Sequence, residues 1–262
     1  MDNVKVFKDT MKKIEKNYKK ETEELKKNVV VYSDACALPV AKNSTAKMAI
    51  NFINMGTVAT AYSLKTENNR VAMLNFADAK RPGGWVEEGA PTQEENICRC
   101  TNIYPALHVQ KCIDGYYKKN NVSGTDEHLV ESYTNALIYL PDALIFKDDV
   151  KYTPITPKHV DVITSPAPCG YFPDAEKIIL YRAYGIIKSA IFHGVTDIVL
   201  GAWGCGVFGQ DPIIVAKCFA TVLKDYPVFN SVTFAIRNTE GSFSKTNITY
   251  ILFKNAFERY YK

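Results

Sequence analysis

The sequence predicts an α/β fold: a three-layer α/β/α sandwich with a mixed, largely parallel central sheet and a helical extension at the N-terminus. Two observations carry this expectation. Short apolar runs of strand-forming residues alternate with longer stretches of helical periodicity, the order that a parallel sheet with crossover helices needs. The 262 residues are also enough for one sizeable core, and neither an internal repeat nor a Ser/Gly linker divides them. Residues 1–28 are therefore expected to be a helical extension and residues 29–262 one domain.

In chain order, residues 4–27 place Val4, Phe7, Met11, Ile14, Tyr18 and Leu25 at helical spacing among many Lys and Glu, which predicts one amphipathic helix. Interleaved acids disfavour a basic arm for DNA or membranes. Val29–Tyr32 reads as a buried strand. Asn43-Ser-Thr45 resembles a cap for a helix carrying Met48, Ile50, Phe52 and Ile53, ended by Gly56. Val71–Asn75 is a strand that breaks at Pro82-Gly83-Gly84, and a helix is expected from about Thr92 to Cys112. Residues 113–135 are polar and read as irregular. Strands are expected at Ala136–Leu140, Val160–Ser165, Asp197–Gly201 and Ser231–Ile236. Helices are expected from an Asp174 cap to Gly194, over Asp211–Asp225 and near Thr246–Tyr261.

Composition narrows the function classes. A net charge of +4 allows an anionic ligand but does not imply nucleic acid, which usually leaves a stronger basic signature, and no apolar run approaches the roughly 18 residues of a membrane span. Seven scattered cysteines, without paired CxxC motifs, predict reduced thiols in a cytoplasmic compartment and no structural zinc.

Three strand-to-loop junctions carry the chemistry. Gly201-Ala-Trp-Gly204-Cys205-Gly206-Val207-Phe208-Gly209 joins a strand to a helix, and its glycines let backbone N–H groups converge on an anion, favouring a diphosphate. The embedded GxGxxG lies late in the chain, and the strand after it ends in Ile236-Arg237-Asn238 without an acid, so NAD as a redox cofactor is disfavoured. Ser165–Gly170 and the segment after Asn75 also follow strands. In an open parallel sheet these three loops share one crevice. In the segment after Asn75, Glu94 and Glu95 follow a loop containing Gly83, Gly84 and Gly89, with Gln93 available to orient a polar ligand. Two readings stand at this point. Acids in a first helical turn stabilise its dipole, whereas adjacent carboxylates in a cleft can hold different protonation states, as glycosidic cleavage requires. Cys169 and Cys205 as nucleophiles are disfavoured because the histidines at 108, 128, 159 and 193 fall in helices or connecting segments.

Gly83-Gly84, eight residues, then Gln93-Glu94-Glu95 resembles the catalytic signature of macrodomain-type poly(ADP-ribose) glycohydrolases, closest to the compact microbial type. The resemblance extends to Leu74–Ala77, Gly89-Ala90, Arg99, Tyr104, Ser165–Pro168, Gly201–Gly209 and Phe234–Ile236, and so from about residue 30 to the C-terminus. It implies a macrodomain-like catalytic domain at 29–262 that hydrolyses the O-glycosidic ribose–ribose bond of poly(ADP-ribose), without metal or redox cofactor. By position, Glu95 is the general acid/base and an ionised Glu94 holds a distal-ribose hydroxyl. Asn75, Gly83 and Gly84 shape that ribose pocket. Gly204, Cys205, Gly206 and Val207 offer N–H groups to the diphosphate, and Phe208 packs on the distal ribose. The implied partners are ADP-ribose, poly(ADP-ribose) and ADP-ribosylated proteins, met by a cytoplasmic (in a eukaryote, also nuclear) monomer that binds neither membrane nor nucleic acid. Three positions depart from the family pattern: Trp85 stands for a third glycine, Cys169 for an Asn, and Asp78 for a small or neutral residue. The alternatives are removal of single ADP-ribose units from protein, and a domain that binds ADP-ribose without cleaving it. Retention of both Glu94 and Glu95 argues against the latter.

Overall fold

The computed structural model describes residues 2–41, 47–121, 132–170, 173–237 and 245–262. Seven strands form one mixed sheet in the order β1-β4-β5-β3-β6-β7-β2. They are β1 (Val30–Tyr32), β2 (Ala49–Ile53), β3 (Val71–Phe76), β4 (Leu137–Lys147), β5 (Pro154–Ser165), β6 (Asp197–Leu200) and β7 (Ser231–Ala235). From β5 to β2 every pairing is parallel, while β1 and β4 are antiparallel.

The central strands are apolar throughout because both faces are covered. In β3, Ala72 and Leu74 join the core beneath α8 (Ala175–Phe192), α9 (Pro212–Asp225) and α10 (Lys245–Tyr261), whereas Val71 and Met73 join the opposite core. That second core lies under α3 (Thr57–Leu64), α4 (Gln93–Cys100) and α5 (Ile103–Leu107). Ile198 and Leu200 against Val199 divide β6 in the same way. The period of two thus sends alternate side chains into two cores and produces the three layers.

Several boundaries differ from expectation, each for a local reason. The N-terminal segment is two helices, α1 (Asn3–Asn17) and α2 (Lys19–Asn28), because Tyr18 leaves helical geometry and lays its ring 4.6 Å from that of Phe146. The residues around Phe52 form strand β2 rather than a helix, with Phe52 stacked on Phe234 at 5.1 Å, and Gly56 precedes α3 instead of ending a helix. Ile50 and Phe52 therefore follow period two, not the helical period assigned to them. The cap expected at Asn43–Thr45 lies outside the described residues. The single helix from Thr92 breaks after Cys100, because Thr101 bridges to Ile145 and Asn102 accepts from the Leu144 N–H at 2.8 Å, tying the chain to β4. It resumes as α5 and as α6 (Gln110–Cys112). Of the segment read as irregular, Ile113–Tyr117 is a π-turn and Lys118–Asn120 forms α7. β1 is half-buried rather than buried, as an edge strand. Asp174 precedes α8 without capping it, its carboxylate taken by Lys177 at 2.7 Å.

α1 and α2 clamp this body next to the future site. Thr10 donates to the Arg99 carbonyl at 2.6 Å, Asn3 donates to the Gly89 carbonyl at 2.9 Å, and Phe7 meets Tyr104 edge-on at 4.8 Å. Tyr104 in turn backs the turn at Gly83, where an added Cβ would lie 2.7 Å from its ring.

Candidate active site

Because β5, β3 and β6 are neighbours and parallel, their carboxyl ends bring the three loops to one crevice, as the sequence suggested. Two cavities lie there. One of about 300 Å³ is bounded by Met55–Thr57, Phe76, Ile236 and Arg237, and one of about 170 Å³ by Ala167, Trp203, Gly204, Val207 and Phe208. Phe76, Thr92, Gln93 and Gly206 line both, so the two are parts of one cleft.

Glu94 and Glu95 sit in the first turn of α4 and are 2 % and 4 % exposed. Glu94 accepts the Asn75 amide at 3.0 Å and the Asp78 backbone N–H at 2.7 Å. Glu95 accepts the Trp85 backbone N–H at 2.9 Å on one oxygen and the Thr92 hydroxyl on the other. Neither carboxylate is among the residues lining the cavities; Thr92 and Gln93, immediately before them, are. Burial pushes the Glu94 carboxyl well above the usual range; its two N–H donors oppose this, and the Glu95 charge reinforces it. That direction runs against the ionised Glu94 expected from the resemblance. Desolvation outweighs the donors that would favour the anion.

Gly84 is required by the carboxylates themselves. Its φ is +60°, and a Cβ there would stand 2.3 Å from a Glu95 oxygen and 3.2 Å from one of Glu94. Trp85, by contrast, has no left-handed φ among the described residues, so an L-residue fits where a third glycine was expected. It contributes its N–H to Glu95 while its side chain stays 54 % exposed under the Arg81 guanidinium, 3.9 Å from the ring centroid. Asp78 closes the turn, one carboxylate oxygen accepting the N–H groups of Lys80 at 2.7 Å and Arg81 at 2.9 Å, and its charge adds to the upward push on Glu94. Gln93 is committed to the scaffold as well as lining the cleft. It accepts from the Phe76 N–H at 2.8 Å and donates to the Leu74 carbonyl at 2.8 Å and the Thr57 hydroxyl at 3.1 Å.

The glycine-rich wall works through backbone. The Cys205 N–H donates to the Ala202 carbonyl at 3.1 Å, so of the four amides expected in the cradle it already has a partner. The N–H groups of Gly204, Gly206, Val207 and Phe208 have no intramolecular acceptor among the described residues. The Cys205 thiol is buried toward the Trp203 carbonyl, and burial raises its pKa, the opposite of what a nucleophile needs. The N-terminus of α9 is already filled by the carboxylate of Asp211, which accepts the Ile213 N–H at 2.8 Å. An anion here would be held by loop amides rather than by the helix end.

Sequence reasoning missed the residues that hold these loops in place. Trp203 donates its indole N–H to the Ser165 carbonyl at 3.1 Å, and Gln210 donates to the carbonyls of Pro168 and Gly170, both at 2.8 Å. Buried Arg182 donates to the carbonyls of Pro166 at 2.9 Å and Tyr133 at 3.0 Å and to Asn135 at 3.1 Å; without an acid among these partners, burial lowers its pKa to about 10. Thr92 was the detectable omission. Thr92-Gln-Glu-Glu95 has the spacing of a capping box, but its hydroxyl bonds the Glu95 side chain instead of a helix N–H.

The fold and cleft define an α/β domain of the macrodomain type in which a loop of backbone amides unpartnered among the described residues and a pair of buried carboxylates flank one crevice. The family model for the microbial-type PARG catalytic domain matches residues 5–148. Among solved structures, poly(ADP-ribose) glycohydrolase (PARG) from Thermomonospora curvata superposes with a TM-score of 0.83 at 26% identity, covering 97% of this chain and 99% of that one. The Deinococcus radiodurans enzyme in complex with ADP-ribose gives 0.80 at 27% identity, over 93% and 99% of the two chains. The T. curvata enzyme bound to the inhibitor ADP-HPD gives 0.82 at 27%, over 97% and 99%. A comparison with curated proteins finds no match. This chain belongs to the microbial-type PARG family.

Proposed function

We propose that the chain is a poly(ADP-ribose) glycohydrolase that takes the terminal ADP-ribose of a polymer and hydrolyses the ribose–ribose bond with Glu95 as acid and base. The observation that carries this reading is the pair of buried carboxylates beside Gly84, directly after Thr92 and Gln93 of a cleft also lined by Gly204, Gly206, Val207 and Phe208, whose backbone N–H groups are unpartnered among the described residues. The relatives solved with ADP-ribose and with ADP-HPD support the ligand.

In this reading adenosine occupies the larger, mostly apolar cavity between Met55 and Arg237. The diphosphate lies over Gly206, common to both cavities, against the amides of Val207 and Phe208. The distal ribose enters the smaller cavity beside Phe208, with one hydroxyl toward Glu94 and Asn75. Glu95 gives its proton to the departing 2′-oxygen as the C1–O bond breaks. The oxocarbenium-like centre is then attacked by water, from which Glu95 recovers a proton. With its carboxyl raised by burial, Glu94 can accept from the ribose hydroxyl or, when protonated, donate to it. A cytoplasmic site of action, residues 1–28 as a helical extension, and ADP-ribosylated proteins as carriers of the polymer belong to the same reading.

Incubation with automodified poly(ADP-ribose) and with mono-ADP-ribosylated protein, beside Glu95→Ala, tests it. Free ADP-ribose released from polymer by the wild type, and slowed by about 10²- to 10⁴-fold in the variant, is the expected result. Release from mono-modified protein alone would establish the other hydrolase activity. Binding without release from either substrate would leave a reader domain.

A further inference from the structure

Trp85 stands against the catalytic carboxylates, yet the hydrolysis just described leaves its side chain without a task. Its backbone N–H lies on a Glu95 oxygen at 2.9 Å, but the residue lines neither cavity. The residue's backbone is therefore next to the acid, and its indole, under Arg81, lies outside the lining of both cavities. It is also held in position. The Arg81 guanidinium covers the ring at 3.9 Å, Arg81 pairs with Glu88, and the Arg81 backbone N–H is fixed by Asp78 at 2.9 Å. More than half of the side chain nonetheless faces solvent.

What lies across the scissile bond has a defined chemistry if the glycohydrolase reading holds, and the inference rests on that reading. The leaving oxygen is the 2′-oxygen of an adenosine, so each cleavage expels a nucleoside with an exposed purine and a diphosphate. We propose that Trp85, backed by Arg81, is a leaving-group subsite that stacks the adenine of the departing unit. A purine offers a flat π-face, and a Trp already immobilised by a cation stacks it with little further loss of freedom. Lys80, exposed at the same turn with its ammonium 5.9 Å from the Tyr133 ring, adds positive charge for the diphosphate of that unit. The subsite favours polymer over mono-ADP-ribosylated side chains, which present no base beyond the bond.

The test compares wild type, Trp85→Ala and Trp85→Phe for kcat/KM on poly(ADP-ribose) and for ADP-ribose affinity. Trp85→Ala is expected to lose on the order of 10-fold in kcat/KM, mostly in KM, with ADP-ribose affinity changed less than about 2-fold and Phe restoring most of the loss. A second arm titrates Glu95→Gln with di-ADP-ribose and with ADP-ribose while following indole fluorescence. The dimer should produce a change beyond that of ADP-ribose, and Glu95→Gln/Trp85→Phe should lack that excess, since the other tryptophan, Trp203, lines the cavity that both ligands fill. Equal kcat/KM in Trp85→Ala and wild type, or an equal fall in ADP-ribose affinity, overturns the subsite. If the wild type released nothing from polymer, the hydrolase reading would fall, and the dimer titration would still decide the subsite.

Discussion

The two walls of the cleft solve different problems with different parts of the chain. The wall from β3 to α4 works through side chains: Glu94 and Glu95 are buried, and every carboxylate oxygen meets a donor supplied within residues 75–92. The wall from β6 to α9 works through backbone: Val207 is 81 % exposed, the Cys205 thiol faces the interior, and the residues lining the cleft carry amides unpartnered among the described residues. Proton transfer demands a particular group at a particular atom, so the first wall is rigidly packed and intolerant. Holding a diphosphate demands only converging N–H groups, so the second wall constrains conformation and leaves side-chain identity loose.

Substitutions break this contrast in order of expected size. Gly84→Ala drives a methyl into Glu95 and should lower kcat by about 10²-fold or more, with ADP-ribose affinity much less affected; steady-state kinetics beside calorimetric binding reads the split. Glu94→Gln should cost roughly 10²-fold in activity by weakening the grip on the ribose hydroxyl. Its stability effect runs the other way. Since the folded carboxyl binds its proton more tightly than the unfolded one, the folded state loses stability as pH rises above the ordinary 4.5. Removing that group should therefore raise Tm relative to wild type increasingly above pH 4.5 and little below it. A Tm difference independent of pH would show that Glu94 is not the group responsible.

On the backbone wall, Gly206→Ala meets nothing within 4 Å in the unliganded protein, so Tm should hold while ADP-ribose binds roughly 10-fold more weakly, about 1.4 kcal/mol. Gly204→Ala should do the reverse. Its φ of +76° and a Cβ at 2.6 Å from Ala167 predict a stability loss of about 1–3 kcal/mol, read by denaturant melts. Cys205→Ala is the smallest change. With the thiol buried and its pKa raised, kcat/KM on polymer should stay roughly unchanged, and a large loss would return thiol chemistry to consideration.

The sequence by itself determined the layered α/β architecture and the three loops that meet in the cleft. Those features are local: alternation of apolar residues, glycines after strands, and two acids at a helix start are visible without knowing what packs against what. The resemblance through Gln93-Glu94-Glu95 added the family, which the family model for residues 5–148 shows independently. Only the tertiary structure decided that Phe52 belongs to a strand, that Thr101 and Asn102 interrupt a helix to join β4, and that Asp78 closes a turn. It alone exposed Trp203, Arg182 and Gln210 as the donors that hold the loop carbonyls, since the relevant partners lie from 16 to 50 residues away along the chain. Burial, which raises the Glu94 carboxyl against the ionised state expected of it, is likewise a property of the packed molecule. A side chain's neighbours in sequence say what it can donate or accept, but its desolvation depends on everything folded around it.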